Sequence, residues 1–344
     1  MSRIAFLVPG RLDTVSGGYG YDRAIIAGLR GLGHTVDIAE IPGTHPLPDT
    51  AALAAATAAW DGMAPDAIPV IDGLGLPAFA DCAPDFAARN AVGLIHHPTA
   101  LEAGRTDAAR DELRAFEMRL FPALPRIIVT SDATAARLAQ DFGVDSGRIR
   151  VVVPGTAPAP RCTGSGGPGC TILSLGAFIP RKGHDLLIRA LARLFDLDWN
   201  LVIAGPGIDS THAQSLRALA ADLGVTRRVT FLGEVAEQDL DAVWARADIF
   251  ALATQFEGYG MAIAEALRRG LPIAVTNGGA AGALVSPEAG IVCEVGDLVT
   301  FSKAIRRLIF DLPLRAAAAD AAWAIGQTLP DWPEQAAAFA AALR

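Results

Sequence analysis

From Pro154 to Gly169 the chain reads Pro-Gly-Thr-Ala-Pro-Ala-Pro-Arg-Cys-Thr-Gly-Ser-Gly-Gly-Pro-Gly, a run with no apolar face to bury. Proline and glycine at this density cannot sustain a helix or a central strand, so the stretch divides the chain in two. On either side, short apolar runs alternate with helical patterns. Strands are expected at Ile4–Val8, His34–Ala39, Ala67–Gly73, Ala91–Ile95, Arg126–Ser131 and Ile149–Val153 before the break. After it they are expected at Thr171–Gly176, Asn200–Ala204, Val229–Gly233, Asp248–Leu252, Leu271–Thr276 and Gly290–Val295. Helices are expected over Tyr21–Leu32, Leu101–Leu120, Asp132–Phe142 and His184–Leu194. Strand, glycine loop, helix, strand is a βαβ unit, so the fold expected is α/β with doubly wound parallel sheets. The expected boundaries are 1–160, 161–314 and an Ala-rich helical tail, 315–344, interrupted near Pro330 and Pro333.

Composition excludes several classes. A length of 344 residues is long for one core, which agrees with two domains. Hydrophobic content of 51% and charged content of 19% describe a packed core, and no run reaches the ~20 apolar residues of a membrane span. Met1 to Gly10 reads as a first strand rather than a signal peptide, so a cytoplasmic address is expected. The net charge of −8 argues against a nucleic-acid partner. Cys82, Cys162, Cys170 and Cys293 form no C-x-x-C pair; Cys162 and Cys170 could bridge if oxidised, but free thiols are expected.

The chemistry concentrates between Phe250 and Gly270, which reads as a strand end, a loop and a helix starting near Met261. Glu257 opens the loop, Gly258-Tyr259-Gly260 follows, and Glu265 lies on an early turn of the helix. The glycines allow close backbone approach, and the helix start offers unpaired N–H groups to a phosphate. A carboxylate on each side can accept hydrogen bonds from hydroxyls, including both hydroxyls of a vicinal diol. Diol, phosphate bridge and hydroxyl-rich ring together describe a nucleotide sugar. A surface loop with dipole-favoured glutamates is the plainer alternative, but the helix around Glu265 is almost wholly apolar and a buried carboxylate needs a partner.

Glu257 and Glu265, within Glu-Gly-Tyr-Gly-Met-Ala-Ile-Ala-Glu-Ala-Leu, resemble the E-x7-E motif of retaining GT-B glycosyltransferases of family 4. The resemblance implies two Rossmann-like domains with parallel sheets facing across a cleft. The first would bind the acceptor and the second the donor, with the tail crossing back to the first. It implies transfer of a sugar from a nucleoside diphosphate to an acceptor hydroxyl with retained configuration. Glu265 would hold the ribose diol, Gly258 to Met261 the phosphates and part of the sugar, and Glu257 the sugar hydroxyls. Ser16-Gly17-Gly18 matches the family's Gly-Gly pair at the donor diphosphate, which makes Gly17 and Gly18 candidates.

Other positions follow from strand ends. Arg181-Lys182-Gly183 precedes a helix, and a bidentate guanidinium beside a compact ammonium suits a diphosphate. This matches the family's Arg/Lys-Lys-Gly, whose cations stabilise the leaving phosphate. His96-His97-Pro98 follows a strand; His96 is the better match to the histidine against the transferred sugar and His97 the reserve, though both could be structural. Gly205 ends another strand, and Val235 lies in the loop that reads the base in relatives. Pro154-Gly155-Thr156 stands where the family has Pro-Asn-Gly. The D-x-D of Asp196-Leu-Asp198 precedes a strand, at the wrong end for a site, and reads as a loop.

No metal and no cofactor are therefore expected. The partners implied are a nucleotide-sugar donor and a hydroxyl acceptor of unknown class, with peripheral membrane contact if the acceptor is a lipid. Two alternatives share the architecture: a phosphorylase-like or nucleotide-sugar hydrolysing enzyme, and a non-catalytic sugar-nucleotide binding protein. A nicotinamide oxidoreductase is disfavoured, because no G-x-G-x-x-G follows the first strand.

Overall fold

A computed structural model describes residues 1–102, 105–167 and 169–344, with the backbone alone of residue 237. The described residues form two compact units, Met1–Gly155 with Pro330–Arg344, and Thr156–Leu329.

The first unit holds a six-stranded parallel sheet of β1 (Arg3–Pro9), β2 (Thr35–Ile41), β3 (Ala67–Asp72), β4 (Val92–Ile95), β5 (Arg126–Val129) and β6 (Ile149–Val151), ordered β2-β1-β3-β4-β5-β6. Ile4 to Val8 are buried on both faces of β1, which is why the strand reads as an unbroken apolar run. Ile4, Phe6 and Val8 pack toward α1 (Gly17–Gly31), while Leu7 joins Trp60 of α2 (Thr50–Gly62) and Phe79 on the other face. Two further helices of this unit are α3 (Asp107–Leu120) and α4 (Asp132–Asp141).

The second unit contains β7 (Cys170–Leu175), α5 (His184–Ala192), β8 (Trp199–Ala204), α6 (Thr211–Asp222), β9 (Val229–Gly233), α7 (Glu237–Ala245) and β10 (Ile249–Leu252). It continues with α8 (Met261–Arg268), β11 (Ile273–Thr276), β12 (Gly290–Cys293), α9 (Leu298–Phe310) and α10 (Leu312–Thr328). Its sheet is ordered β12-β11-β10-β7-β8-β9 and is also parallel. Ile172 and Leu173, neighbours on β7, enter the cores on opposite faces. The chain leaves β7 toward β8 on one side, and β10 lies on the other. The gap between the ends of β7 and β10 is therefore the topological switch point, where open α/β sheets bind ligands.

Three expectations are corrected. The first helix begins at Gly17, not near Tyr21, because the Ser16 side chain caps it by accepting from Tyr19 N. The third helix begins at Asp107 behind the Thr106 cap rather than at Leu101, which lies in a 3-10 turn at 99–101. Ala103 and Gly104, included in that expectation, lie outside the described residues, as does Pro168 of the expected linker. The tail does not act as one piece from residue 315. α10 packs against α8 within the second unit, and a Cβ on Gly326 would lie 2.2 Å from Leu267 O, so the two backbones touch. Only Pro330–Arg344 belongs to the first unit. There α11 (Trp332–Ala342), opened by a capping box between Asp331 and Glu334, lays Trp332 and Phe339 against Tyr21. All four cysteines are free thiols. Among the described residues no helix is long and apolar enough to cross a membrane.

Candidate active site

The second unit assembles its charged residues at the switch point. After β7 the chain turns through a 3-10 helix at 180–182 and reaches Gly183 at φ +64°. A Cβ there would sit 1.9 Å from Ala253 O, so only glycine lets this loop close on the end of β10. Gln255 N donates to Arg181 O at 2.8 Å, and Arg181 Nη1 donates to Phe256 O at 2.6 Å. Two loops distant in sequence are thereby stitched into one surface.

Glu257 completes the cluster. Lys182 Nζ donates to its Oε1 at 2.6 Å, and Arg181 Nη1 lies 3.9 Å from its Oε2. Glu257 is 8% exposed, and its backbone is fixed by Glu257 N to Gly278 O (3.0 Å) and Ala280 N to Glu257 O (2.9 Å). Burial opposes its charge, but Lys182 and Arg181 override this and hold its carboxyl below the ordinary value. Two cations against one carboxylate leave a net positive charge at the end of β7.

Beyond it, Gly258 and the buried Tyr259 lead to Gly260, whose φ of +107° forms the start of α8. No side chain caps this helix, so its first N–H groups are left to solvent or a ligand. Met261 is its first residue, and Glu265 lies one turn on, partly buried. Burial pushes the Glu265 carboxyl up to about 7, with Arg269 opposing. Arg269 is itself bonded to Asp241 at 2.5 Å and stacked on Trp244. Among the described residues the Glu265 carboxylate makes no hydrogen bond, although its backbone carbonyl accepts from Arg269 N at 3.2 Å, so the carboxylate oxygens are free to accept.

The other second-unit candidates are placed differently. Gly205 adopts φ +152°, and a Cβ on it would lie 2.1 Å from Gly176 O, so its lack of a side chain is accounted for by the packing of one strand end on another. Val235 is partly buried in the loop between β9 and α7. Asp196 of the D-x-D makes a two-armed ion pair with Arg306, at 2.8 and 2.6 Å, away from the switch point.

The first unit gathers a separate group at the carboxyl ends of β3 and β4. His96 Nε2 lies 3.3 Å from Asp22 Oδ1 and 3.5 Å from Asp72 Oδ2. Tyr21 meets the His96 ring edge-on, and a Cβ on Gly18 would come within 3.4 Å of that ring; Gly17 is the first residue of the same helix. Burial disfavours the charged imidazole, but the two carboxylates raise His96 well above its ordinary value. Burial and the Asp72 charge push Asp22 up, while Asp72, bonded also by Leu74 N at 2.7 Å, is held down. His97 bonds instead to Glu102 Oε1 at 2.8 Å, and Glu102 pairs with Arg105. The two adjacent histidines thus belong to different networks.

Asp22 and Asp72 were not singled out by the sequence reading. Asp72 carries the signal used for His96, an ionisable residue ending an apolar strand. Asp22 carries another, a charge on the buried face that Ile25, Ile26 and Leu29 continue.

A family model described as glycosyl transferases group 1 matches residues 164–323. The D-inositol 3-phosphate glycosyltransferase of Acidothermus cellulolyticus is 31% identical over 219 residues, 58% of this chain and 49% of the relative. A GDP-mannose-dependent phosphatidylinositol monomannoside mannosyltransferase of Corynebacterium glutamicum is 36% identical over 153 residues, 42% and 39% of the two chains. The matched stretch thus spans about half the length of these curated relatives or less. In fold, sucrose-phosphate synthase of Thermosynechococcus elongatus superposes with a TM-score of 0.83 at 18% identity, covering 99% of this chain and 98% of that one. Anabaena HepE, solved with UDP-glucose, gives 0.77 at 18% identity, covering 99% and 100%. Residues 164–323 thus match the glycosyl transferases group 1 model, and the fold of the chain is similar to that of solved glycosyltransferases.

Proposed function

We propose that this protein is a retaining glycosyltransferase that moves a sugar from a nucleoside diphosphate to an acceptor hydroxyl, with no metal at the diphosphate. The observation that carries the reading is the Arg181–Lys182–Glu257 cluster at the switch point, followed by the uncapped start of α8 and the unbonded Glu265. A diphosphate laid across Gly258 to Met261 would meet two fixed cations and unpaired N–H groups. Such donors stabilise charge where it develops, without reorganisation, as the bond to phosphate breaks. Glu265 would accept from the ribose diol, and Glu257, already ionised, from sugar hydroxyls.

Transfer breaks the bond between the anomeric carbon and the phosphate oxygen and forms one to the acceptor oxygen on the same face. The acceptor's proton passes to the departing phosphate, whose charge Arg181 and Lys182 would balance. His96 and the acceptor's contacts keep the roles that the family resemblance implies for them. A UDP complex known for HepE, and GDP-mannose named for the mannosyltransferase, support a nucleotide-sugar donor of either base. The reading keeps a cytoplasmic address, with peripheral membrane contact only for a lipid acceptor.

The test is a thermal-shift panel of UDP-, GDP-, ADP- and TDP-sugars. A donor that binds the folded state raises Tm by mass action, so one base should stand apart. No shift with any of them would overturn the donor assignment. Release of free sugar from the stabilising donor at full rate without acceptor would identify a hydrolase instead.

A further inference from the structure

Resting on the donor seat proposed at the start of α8, we infer that Arg268 is a positioning residue that ties this helix to both places where the chain passes between the two units. Thr156 is the first residue of the second unit and Leu329 its last. Arg268, which ends α8, reaches both. Its Nη2 donates to Thr156 O at 3.0 Å and to Leu329 O at 2.8 Å. A single nitrogen therefore holds two crossings that lie far apart in the sequence.

The contact is built into the core. Arg268 is 6% exposed, and among the described residues it makes no ion pair; its neighbour Arg269 takes Asp241 instead. A buried guanidinium without an acid is costly unless its hydrogen bonds are made, and here the acceptors are main-chain carbonyls of the crossings themselves. Leu329 also ends α10, so the charge lies at the negative end of that helix dipole. The main chain returns the grip. Gln327 Nε2 donates to Arg268 O at 3.3 Å, and a Cβ on Gly326 would come 2.6 Å from Arg268 Cα.

The Pro- and Gly-rich run behind Thr156 is no loose tether. Cys162 N donates to Arg269 O at 2.9 Å, and Thr163 N and Gly164 N donate to Ala245 O at 3.2 and 3.1 Å. From Cys162 on, the run is fastened to the ends of α8 and α7. At 1.5 Å per residue α8 is about 12 Å long, and Ile263, Ala264, Ala266 and Leu267 are buried along it. A short helix packed this closely moves as one body, so a ligand that settles on its first N–H groups acts on Arg268 at its other end.

The experiment reads amide exchange of the full chain with and without whichever UDP-, GDP-, ADP- or TDP-sugar stabilises the fold. In the parent, exchange should slow at Met261 and Ala262, where the donor settles, and by about tenfold at Thr156, Ala157 and Leu329. Arg268→Met keeps the apolar stem and loses the hydrogen-bond donors. In that variant the slowing at Met261 and Ala262 should persist, while the slowing at the crossings disappears. A merely structural arginine would alter exchange equally with and without the sugar, leaving this difference intact. An equal response at the crossings in parent and variant would therefore overturn the inference. Absence of that response in the parent would do so even if the variant failed to fold. In both cases slowing at Met261 would leave the donor seat standing, whereas no slowing at Met261 would remove the seat and Arg268's role together.

Discussion

Lys182 Nζ lies 2.6 Å from Glu257 Oε1, although the two residues stand 75 positions apart. The contact exists because β7 and β10 are neighbours in the sheet and their loops leave at the same end. A Lys182→Met variant removes one of the two cations proposed for the leaving phosphate. It also leaves a buried carboxylate with Arg181 as its remaining cation. The expected kinetic outcome is a kcat lower by about 100-fold, the scale of losing one preorganised donor. The expected stability loss is about 3 kcal/mol, the low end for a broken buried pair because Arg181 remains. Adding Glu257→Gln should restore urea resistance without restoring turnover. Turnover within twofold of the parent in Lys182→Met would refute the role of the ammonium.

Glu265 gives a pH dependence with a definite sign. Burial raises its carboxyl to about 7, so below that pH the unliganded protein favours the neutral form. The folded value exceeds the ordinary one of 4.5, so its contribution to stability is full below pH 4.5 and is lost as pH rises through about 7. A ribose diol asks for the opposite state, because an ionised carboxylate accepts from both hydroxyls more strongly. Donor affinity should therefore rise as pH passes from 6 to 8, measured by calorimetry against the stabilising nucleotide sugar. Glu265→Gln should bind more weakly and show a flat profile. A parent profile as flat as the variant's would remove Glu265 from the diol.

How much of this was open to a reader of the sequence depends on how local each signal is. The strands of both sheets were legible because parallel strands are buried on both faces and read as apolar runs, as Ile4–Val8 does. Arg181, Lys182 and Glu257 were legible as ionisable groups close to glycines after strand ends, and Glu265 as a carboxylate on an otherwise apolar helix. That Lys182 and Glu257 would bond each other was not, since their neighbourhood is created by strand order. The same holds for His96, whose ring is held by residues from α1 and β3. The start of α1 was missed because two glycines hid a helix that a single serine caps. The tail was misdivided because alanine-rich α10 and α11 look alike, while glycines at Gly326 and Gly28 fix them to different partners.

Glu117 predicts a stability effect near the histidine pair. On α3, its carboxylate accepts from Thr99 N at 2.5 Å and Thr99 Oγ1 at 2.8 Å, and from Ala100 N. Burial lifts its carboxyl to about 7 despite these bonds. Glu117→Ala leaves two buried backbone N–H groups without acceptors, at about 1–3 kcal/mol each before relaxation. A total loss of about 2–4 kcal/mol in urea unfolding is expected, with faster amide exchange at Thr99 and Ala100. Glu117→Gln keeps one acceptor oxygen and should recover roughly half of that loss. Unfolding midpoints equal to the parent's in the alanine variant would show that the clamp is not needed.

Two glycines on α1 separate packing from propensity on a single helix. A Cβ at Gly28 would lie 2.3 Å from the Ala336 Cβ of α11, whereas a Cβ at Gly31 meets nothing within 4 Å. Alanine at a helical glycine normally stabilises by about 0.5–1 kcal/mol, through the unfolded chain's lost freedom. Gly31→Ala should show that gain. Gly28→Ala has the same intrinsic benefit but must push α11 away, and overpacking of this kind costs about 1–3 kcal/mol. The sign should therefore reverse, with a net loss of about 1–2 kcal/mol in urea unfolding. Because α11 also holds Trp332 and Phe339 against Tyr21, the residue before Asp22, the shift should reach the His96 group. The His96 ring resonances should move in Gly28→Ala and stay in place in Gly31→Ala. Equal stabilisation by both substitutions would mean that α11 does not bear on α1 closely enough to position Asp22.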